Sequence, residues 1–294
     1  MTQAILSGLI IGSIYALIAL GYYITHLATK TLNFGQGDTL MIGAIIGLSV
    51  FSSLKVMGLA TIWAFLITIL AVIVAQSIIG YLIERIAIKP LKNFDSISWI
   101  LSTVALSIIG RNIAEVSWGK TVQPFPSPFG SNIIRFGELS IYPHEIFVLI
   151  TTFIIITALF LMLRKSVFGK SLQAVAHNRD AASLMGINPR LIAIVAFVIS
   201  TVLAGIGGIM IGPITNVAPF LGLALGLKAF GAAIIGGLDN PMGILIGGLS
   251  IGVIEQVVAL QNSALKDFSV YFLILVVLII LPQGLMGKKV KEKY

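Results

Sequence analysis

Two ionisable side chains within apolar runs are the residues of this sequence best suited to chemistry. Lys228 lies in the run 219–237, and Glu255 lies in the run 241–261. A charge is costly where it faces hydrocarbon, so each side chain is expected to face the interior of a helix bundle, a pore or a partner. The two could form a structural ion pair with each other, or they could line a path for a substrate or an ion.

Two short polar segments interrupt the apolar pattern in a similar way, at residues 32–38 (LNFGQGD) and 236–241 (GGLDNP). Paired interrupted helices mark substrate sites in transporters, and exposed N–H groups at helix starts can hold a carboxylate. Simple N-capping by Asp38 and Asn240 is the alternative. The candidate substrate-path residues are Asn33, Gln36, Asp38, Lys228, Asp239, Asn240 and Glu255.

The sequence carries no complete motif for catalysis, metal binding or nucleotide binding. The chain has no cysteine, and its three histidines are far apart without an HExxH spacing, so no catalytic residue and no metal site is predicted. Residues 169–171 (GKS) resemble the end of a phosphate-binding loop, but Arg164 stands where that motif needs glycine. We therefore expect this chain to bind no cofactor, and any ATP that drives it must be bound by another chain.

The composition indicates which solvent must surround these residues. Of 294 residues, 57% are hydrophobic and 10% are charged, whereas soluble domains carry roughly 25% charged residues. The mean hydropathy of +1.05 excludes an ordinary soluble enzyme and predicts a membrane protein surrounded by lipid. The net charge of +8 is then interpreted as orientation charge, and no nucleic-acid partner is predicted.

Apolar runs determine the number of membrane spans. A helix needs about 20 residues to cross the hydrocarbon layer, and three of the runs, 37–54, 96–110 and 219–237, are short or rich in glycine. We expect an all-α, polytopic transmembrane helix bundle of about eight to ten spans with interrupted or re-entrant segments, in a single domain over 1–294. Glycines spaced four apart, as in Gly8/Gly12 and Gly248/Gly252, predict close helix packing. The runs are 4–25, 37–54, 57–83, 96–110, 145–163, 191–212, 219–237, 241–261 and 266–285.

Clusters of positive charge predict the orientation of these spans. Lys and Arg concentrate in the connections 85–92 and 164–190 and in the tail 288–293. Such clusters stay on the cytoplasmic side of a membrane. With three spans before the first cluster, the N-terminus is expected outside. This arrangement places 13 of the 19 Lys and Arg residues inside, 5 outside and one, Lys228, in a span.

Two connections are long enough to bind something. The outer one, 111–144, is rich in proline and aromatic residues, and it is either a plain connector or a docking surface for an outside partner. In the inner one, 164–190, small and apolar residues at helical spacing predict a helix over 171–184 with one apolar face. We expect it to continue into the span that begins near Leu191, and to anchor at the membrane interface or dock a soluble partner.

Several of these segments together resemble a known family. The stretches 12–21 (GSIYALIALG), 32–38, 41–44 (MIGA) and 176–188 (AHNRDAASLMGIN) are similar, in order, to LivH-type permeases. The likeness resumes over 226–255 and so covers nearly the whole chain, with Gly35 as a departure from the commoner family pattern. LivH-type permeases are the membrane subunits of branched-chain amino acid ABC importers.

The resemblance implies a permease for branched-chain or other hydrophobic amino acids in the bacterial cytoplasmic (inner) membrane. It also implies a second permease, either LivM-type or an identical copy, two cytoplasmic ATPases that bind ATP and Mg, and an extracytoplasmic substrate-binding protein. The inner connection is similar to the ATPase-coupling segment of ABC permeases, with Asp180 in place of the usual Glu. The implied coupling residues are Ser171, Arg179, Asp180, Ala181, Ala182 and Gly186.

Three alternatives remain open at this point. A permease for urea or short amides belongs to the same family. A stand-alone, ion-coupled secondary transporter would use Lys228 and Glu255 as its membrane-embedded ionisable pair. A passive channel would give flux without accumulation. The basic inner connection with its docking helix favours the ABC importer over the last two.

Overall fold

Long apolar helices make up most of the part of the chain that the computed structural model describes, which is residues 1–90, 98–137, 139–281 and 283–287. Eight helices are long and apolar enough to cross a membrane, in agreement with the predicted polytopic bundle. They are α1 (Thr2–Thr29), α2 (Gln36–Val56), α3 (Thr61–Ile83, extended by a π-helical turn Glu84–Ile88), α4 (Ser98–Trp118), α5 (Pro143–Lys165), α8 (Pro189–Thr215), α10 (Pro241–Gln261) and α11 (Lys266–Ile280, preceded by a 3₁₀ turn Ser263–Leu265).

Shorter elements connect these helices. The helix α9 (Leu221–Gly236) is apolar but has 16 residues, which matches its prediction as a short run. The helices α6 (Val167–His177) and α7 (Arg179–Leu184) lie between α5 and α8. Two three-residue strands, β1 (Ile134–Phe136) and β2 (Leu139–Ile141), form an antiparallel hairpin between α4 and α5, and the sequence did not predict it.

Burial divides the helices into a centre and a periphery. In the most apolar window of α1, 72% of the residues are buried, and in that of α8, 67%, whereas the values for α4 and α11 are 11% and 6%. Since a helix satisfies its own backbone hydrogen bonds, the peripheral helices can face lipid with apolar side chains alone. The central pair, α1 and α8, therefore positions the elements that carry the polar residues.

Glycines allow α1 and α10 to approach each other closely. A Cβ atom placed on Gly12 would lie 2.7 Å from the carbonyl oxygen of Gly248, and one placed on Gly8 would lie 2.6 Å from Cα of Val253. Such distances exclude a side chain at either position unless the backbones separate. The close packing predicted from the glycine spacing is confirmed here, and it supplies van der Waals contact where lipid leaves no hydrophobic driving force between helices.

Substitution of Gly12 by alanine is expected to destabilise the bundle by about 1–3 kcal/mol, because the added methyl group would meet backbone atoms that cannot rotate away. The measurement is the thermal unfolding midpoint of the purified protein. The matched control is Gly207→Ala on α8, where the nearest atom would be Cγ1 of Ile18 at 3.4 Å. Equal midpoints for both variants would contradict the packing argument.

The outer connection begins later than predicted. The helix α4 continues to Trp118, so residues 111–118 are helical and the expected boundary at 111 was wrong. Beyond it, Phe125 is buried and stacks on Phe51 at 5.9 Å, while Phe129 packs on Phe147 at 4.9 Å. Part of the aromatic content of this connection is therefore used to fix it to the bundle.

The inner connection also differs from the prediction. The expected helix over 171–184 is two helices, because Asn178 is extended and its side chain accepts a hydrogen bond from Ala181 N, which starts a new helix. The expected continuity with the next span was also wrong. Gly186 has φ +83°, and Asn188 caps α8 through hydrogen bonds from Arg190 N and Leu191 N.

The orientation of the bundle stays a prediction. Counting α9 as a ninth crossing would put the two ends of the chain on opposite sides, as the charge pattern requires. Some of the basic residues behind that prediction lie outside the described residues, namely Lys92, Lys288, Lys289, Lys291 and Lys293.

Candidate substrate path and coupling segment

The first polar break is a turn that leads into α2. The side-chain oxygen of Asn33 accepts a hydrogen bond from Gly35 N at 3.1 Å. Gln36 donates to the carbonyl oxygen of Ser200 at 2.9 Å and accepts from the Ser200 hydroxyl at 2.9 Å. The side chains of Asn33, Gln36 and Ser200 are all buried. Gln36 therefore ties the start of α2 to α8.

Asp38, in the first turn of α2, forms an ion pair with α4. Arg111 Nε and Nη2 donate to its Oδ1 at 3.0 and 2.9 Å, and Nη2 also donates to Oδ2 at 2.8 Å. Ser107, one helical turn before Arg111, donates to the same carboxylate. Asp38 is 4% exposed, and the side chain of Arg111 is 22% exposed. This is the bidentate geometry that arginine forms with a carboxylate.

Arg111 was missed by the sequence reasoning, which placed it in the outer connection. Its partner lies 73 residues away in the chain, so no local pattern could reveal the pair. The available signal was the i, i+4 spacing of Ser107 and Arg111, which puts both on one face of a helix if α4 is extended to include them.

A cavity of about 240 Å³ lies next to this ion pair, between α2, α3 and α4. Its polar lining comes from Asn33, Asp38, Thr39, Thr103 and Ser107. Most of the remaining wall is isoleucine and leucine, from Ile42, Ile79, Leu82, Ile83, Ile86, Leu106, Ile109 and Ile113. Of the predicted substrate-path residues, Asn33 and Asp38 thus border an open space.

Lys228 and Glu255 form the ion pair that the sequence suggested. Lys228 Nζ lies 2.7 Å from Glu255 Oε1 and 2.7 Å from Oδ1 of Asp267, at the start of α11. The hydroxyl of Tyr15, on α1, donates to Glu255 Oε2 at 2.8 Å. Tyr15, Lys228 and Glu255 are buried, whereas the side chain of Asp267 is 55% exposed.

This group, named here the Lys228 cluster (Tyr15, Lys228, Glu255 and Asp267), joins four helices. It holds one positive and two negative side chains, so its formal charge is negative. Sequence reasoning missed Asp267 because it opens an apolar helix as an ordinary N-terminal acidic residue would. It missed Tyr15 because a tyrosine in an apolar run carries no charge to draw attention.

The second polar break ends α9 and starts α10. The side chain of Asn240 accepts hydrogen bonds from Met242 N at 3.0 Å and Gly243 N at 3.4 Å, which is N-cap geometry. Asp239 lines a depression of about 450 Å³ together with Tyr23, Lys30, Gln173 and His177. Asp239 therefore lies beside α1 and α6, and neither Asp239 nor Asn240 lines the cavity next to Asp38.

The predicted coupling residues fall on α6, α7 and the turn that follows them. Ser171 is half-buried on α6, and Ala182 is buried on α7. Arg179, Asp180, Ala181 and Gly186 are exposed. Ile187 N donates to Ala182 O, and Gly186 N donates to Ser183 O, so a left-handed glycine ends α7. Four of the six predicted coupling residues therefore lie at the surface.

Two apolar side chains beside the coupling residues, Leu184 and Met185, are exposed, which the sequence did not predict. Leu184 and Met185 are 88% and 83% exposed, whereas Leu172 and Val175 of α6 are buried. The apolar face predicted for this segment therefore divides, with one part packed on the bundle and one part projecting. Among the described residues, no three His, Asp or Glu side chains come close enough to hold a metal ion.

Known permease proteins are similar to this chain over nearly its whole length. The family described as the branched-chain amino acid transport system permease component matches residues 4–281. The permease protein LivH of a high-affinity branched-chain amino acid transport system in Salmonella typhimurium is 32% identical, over 99% of this chain and 97% of its own. BraD of Pseudomonas aeruginosa, named as such a permease protein, has the same values.

More distant proteins agree with this result. A probable LivH permease protein of Methanocaldococcus jannaschii is 29% identical, over 99% of this chain and 95% of its own. Among solved structures, PsaBC from Streptococcus pneumoniae in complex with Fab has a TM-score of 0.50 at 12% identity, covering 96% of this chain and 92% of that one. That likeness concerns the fold alone.

Proposed function

Because the chain belongs to the branched-chain amino acid transport permease family, we propose that it forms the translocation path of an ABC importer for branched-chain or other hydrophobic amino acids. It is a multi-pass protein of the cytoplasmic membrane and a transport subunit rather than an enzyme. The observation that carries the proposal is the full-length match to permeases whose names state this substrate class.

The proposal includes partners. Two cytoplasmic ATPases supply the ATP and Mg chemistry, an extracytoplasmic binding protein delivers the substrate, and a second permease, LivM-type or identical, completes the pore. The chain acts as a single permease domain over 1–294. Of the predicted path residues, Asn33 and Asp38 border the cavity, Lys228 and Glu255 form the buried pair, and the others make structural hydrogen bonds or line the Asp239 depression.

Movement is proposed to enter through α6 and α7. ATP binding closes the ATPase pair, which pushes on Ser171, Arg179–Ala182 and the turn at Gly186. Ala182 is buried against the bundle core, so the push would reach the bundle through packing contacts and not through a helix continuous with α8. Because the helix breaks at Asn178, the push would act on two short helices, α6 and α7, and not on one continuous helix.

The test is purification of the chain from its native membrane, followed by mass spectrometry and reconstitution. We expect a co-purifying ATPase, and ATP-dependent uptake of leucine into proteoliposomes when the binding protein is present. Uptake of urea or acetamide in preference to leucine would favour the amide permease. Flux without accumulation would favour a channel.

An ion-coupled transporter that acts alone is the second candidate, and one observation favours it. Lys228 bridges two carboxylates in the Lys228 cluster, and Asp267 is partly open to solvent. Such a group could exchange a proton during transport. Uptake by the chain alone, without ATP and abolished by loss of a proton gradient, would support this candidate and would contradict the importer.

Substitution of Leu184 by aspartate is expected to release the ATPase from the complex. The side chain of Leu184 is 88% exposed, so the change leaves the packing of the bundle intact. It places a charge on the exposed apolar pair Leu184 and Met185, where the ATPase is proposed to dock. The measurement is the amount of ATPase that co-purifies with the permease, expected to fall about tenfold or more. The matched control is Val56→Asp, because Val56 is 89% exposed at the far end of α2. Equal ATPase recovery for both variants would contradict this surface assignment.

A further inference from the structure

We propose that the Asp239 depression binds a free amino acid on the cytoplasmic side of the membrane, and that its occupation slows further uptake. The inference rests on the proposed function and deepens it by adding regulation by the transported product. Asp239 and Lys30, which both line the depression, hold the ammonium group and the carboxylate of the amino acid, respectively. The site is separate from the cavity next to Asp38, and the two share no lining residue.

Two opposite charges line the depression without neutralising each other. Lys30 and Asp239 are both exposed, and neither forms an ion pair with another side chain in the described part of the chain. A free amino acid is a zwitterion with one ammonium and one carboxylate group. It can therefore form one charge-assisted contact with each side chain and adds no net charge to the site.

The hydroxyl of Tyr23 points to a bound molecule. Tyr23 is 7% exposed, lines the depression and makes no hydrogen bond with any described residue. Its hydroxyl oxygen is not fully enclosed, so the polar end of this buried side chain is the part that remains open to the depression. Polar groups on buried side chains are normally paired. The hydroxyl is therefore available to donate to the carboxylate of the amino acid or to accept from its ammonium group.

The rest of the lining suits the same ligand. Gln173 donates through Nε2 to the carbonyl oxygen of Leu163 at 3.3 Å, which leaves its amide oxygen available to accept from an ammonium group. Leu27 and Ala176 supply apolar wall for a hydrocarbon side chain. The volume of about 450 Å³ lies within the roughly 300–1,000 Å³ of small-molecule pockets, so one amino acid fits.

The position of the depression links it to the coupling segment. Lys30 directly follows α1, Asp239 lies in the break between α9 and α10, and Gln173 and His177 lie on α6. In the predicted orientation these elements meet at the cytoplasmic face. An amino acid held by all three would tie α6 to the bundle. Because α6 is proposed to move with the ATPases, a bound amino acid restrains that movement and slows transport.

The first measurement is binding of radiolabelled L-leucine to the complete transporter in nanodiscs, without ATP and without the binding protein. We expect Lys30→Gln and Asp239→Asn each to weaken binding at least about tenfold, because each removes a hydrogen bond to a charged group. Lys30→Arg keeps the charge and should retain binding. The matched control is Lys89→Gln, because Lys89 is also exposed and does not line the depression.

Analogues of leucine test recognition of both charges. Isoamylamine lacks the carboxylate, and 4-methylpentanoate lacks the ammonium group. Each should compete with labelled leucine at least about tenfold less well than unlabelled leucine does, since each loses one charge-assisted contact. Competition by either analogue as strong as that by leucine would overturn the proposal, because only one charge would then be recognised.

The second measurement is the initial rate of labelled leucine uptake into proteoliposomes that contain ATP, with the binding protein outside. The rate with unlabelled leucine inside is divided by the rate with sucrose inside, for each variant separately. At an internal concentration of about ten times the Kd from the nanodiscs, we expect this ratio to fall roughly tenfold in the wild type, because only the unoccupied fraction transports freely. In Lys30→Gln and Asp239→Asn it should stay near one.

Each outcome decides the proposal. Binding and inhibition that are both lost in Lys30→Gln and Asp239→Asn, and both kept in Lys30→Arg and Lys89→Gln, support the site. Leucine binding that all variants retain would place the ligand elsewhere in the transporter. Absence of binding or of inhibition in the wild type would show that no amino acid regulates transport from the depression. Either of these results overturns the proposal, whereas absent uptake into wild-type proteoliposomes loaded with sucrose refutes the proposed function itself.

Discussion

Replacement of Lys228 by methionine is expected to destabilise the protein by about 3–5 kcal/mol, because the buried carboxyl group of Glu255 would lose its counter-charge. The hydrogen bond from Tyr15 cannot compensate for that charge, and Asp267 adds repulsion. The measurement is the thermal unfolding midpoint of the purified protein, together with its yield as a monodisperse species. We expect a large loss of both.

The matched control is Lys120→Met. Lys120 also faces a carboxylate, that of Glu115 at 3.6 Å, but its side chain is 83% exposed. Surface pairs of this kind contribute only about 0–1 kcal/mol, so the control should behave like the wild type. A similar, small effect of both substitutions would show that the Lys228 cluster is hydrated rather than buried.

The double variant Lys228→Met with Glu255→Gln separates structure from transport. Removing both charges avoids an unpaired buried ion and keeps the Tyr15 partner, so most of the lost stability should return. Uptake of leucine by this folded variant would show a structural cluster. A folded variant without uptake would place the cluster on the path, and its dependence on ATP would then decide between importer and ion-coupled transporter.

Replacement of Gly186 by tryptophan is expected to lower leucine uptake at least about tenfold while the protein still inserts into the membrane. Gly186 has φ +83°, where an L-residue is strained by roughly 1–2 kcal/mol, and no atom lies within 4 Å of its added Cβ. The indole ring would therefore project from the surface beside Leu184 and Met185. It would obstruct an ATPase without disturbing the bundle.

Gly58→Trp is the control for this prediction. Gly58 also has a positive φ, +81°, and open surroundings, but it lies between α2 and α3. We expect this variant to retain uptake, since the strain is matched and only the location differs. Normal uptake by Gly186→Trp would refute the coupling assignment, and an equal loss in both variants would attribute the effect to backbone strain.

Local composition was enough to predict the class of protein and most of its helices. Membrane spans depend on the hydropathy of about 20 consecutive residues, because every backbone group in lipid must be satisfied within its own helix. The run at α9 was predicted to be short by the same length criterion, and the helix has 16 residues. The glycine pairs of α1 and α10 were predicted as close contacts because small residues have few other uses inside an apolar helix.

Helix boundaries were less predictable where polar residues lie inside a helix. The predicted apolar run 96–110 ended before the polar residues Arg111 and Asn112. The helix continues because Asp38 neutralises Arg111. Likewise, the predicted helix 171–184 ran through Asn178. The side chain of Asn178 instead accepts a hydrogen bond from Ala181 N and so caps a new helix.

The sequence by itself thus determined a polytopic membrane permease, its approximate spans and its family, since these follow from hydropathy and from motifs read along the chain. Only the tertiary structure decided which charges meet. It paired Asp38 with Arg111, added Asp267 and Tyr15 to Lys228 and Glu255, and left Asp239 with α1 and α6. The physical reason is that ion pairs across a bundle depend on how whole helices are arranged, and residues 73 or 240 positions apart share no local pattern.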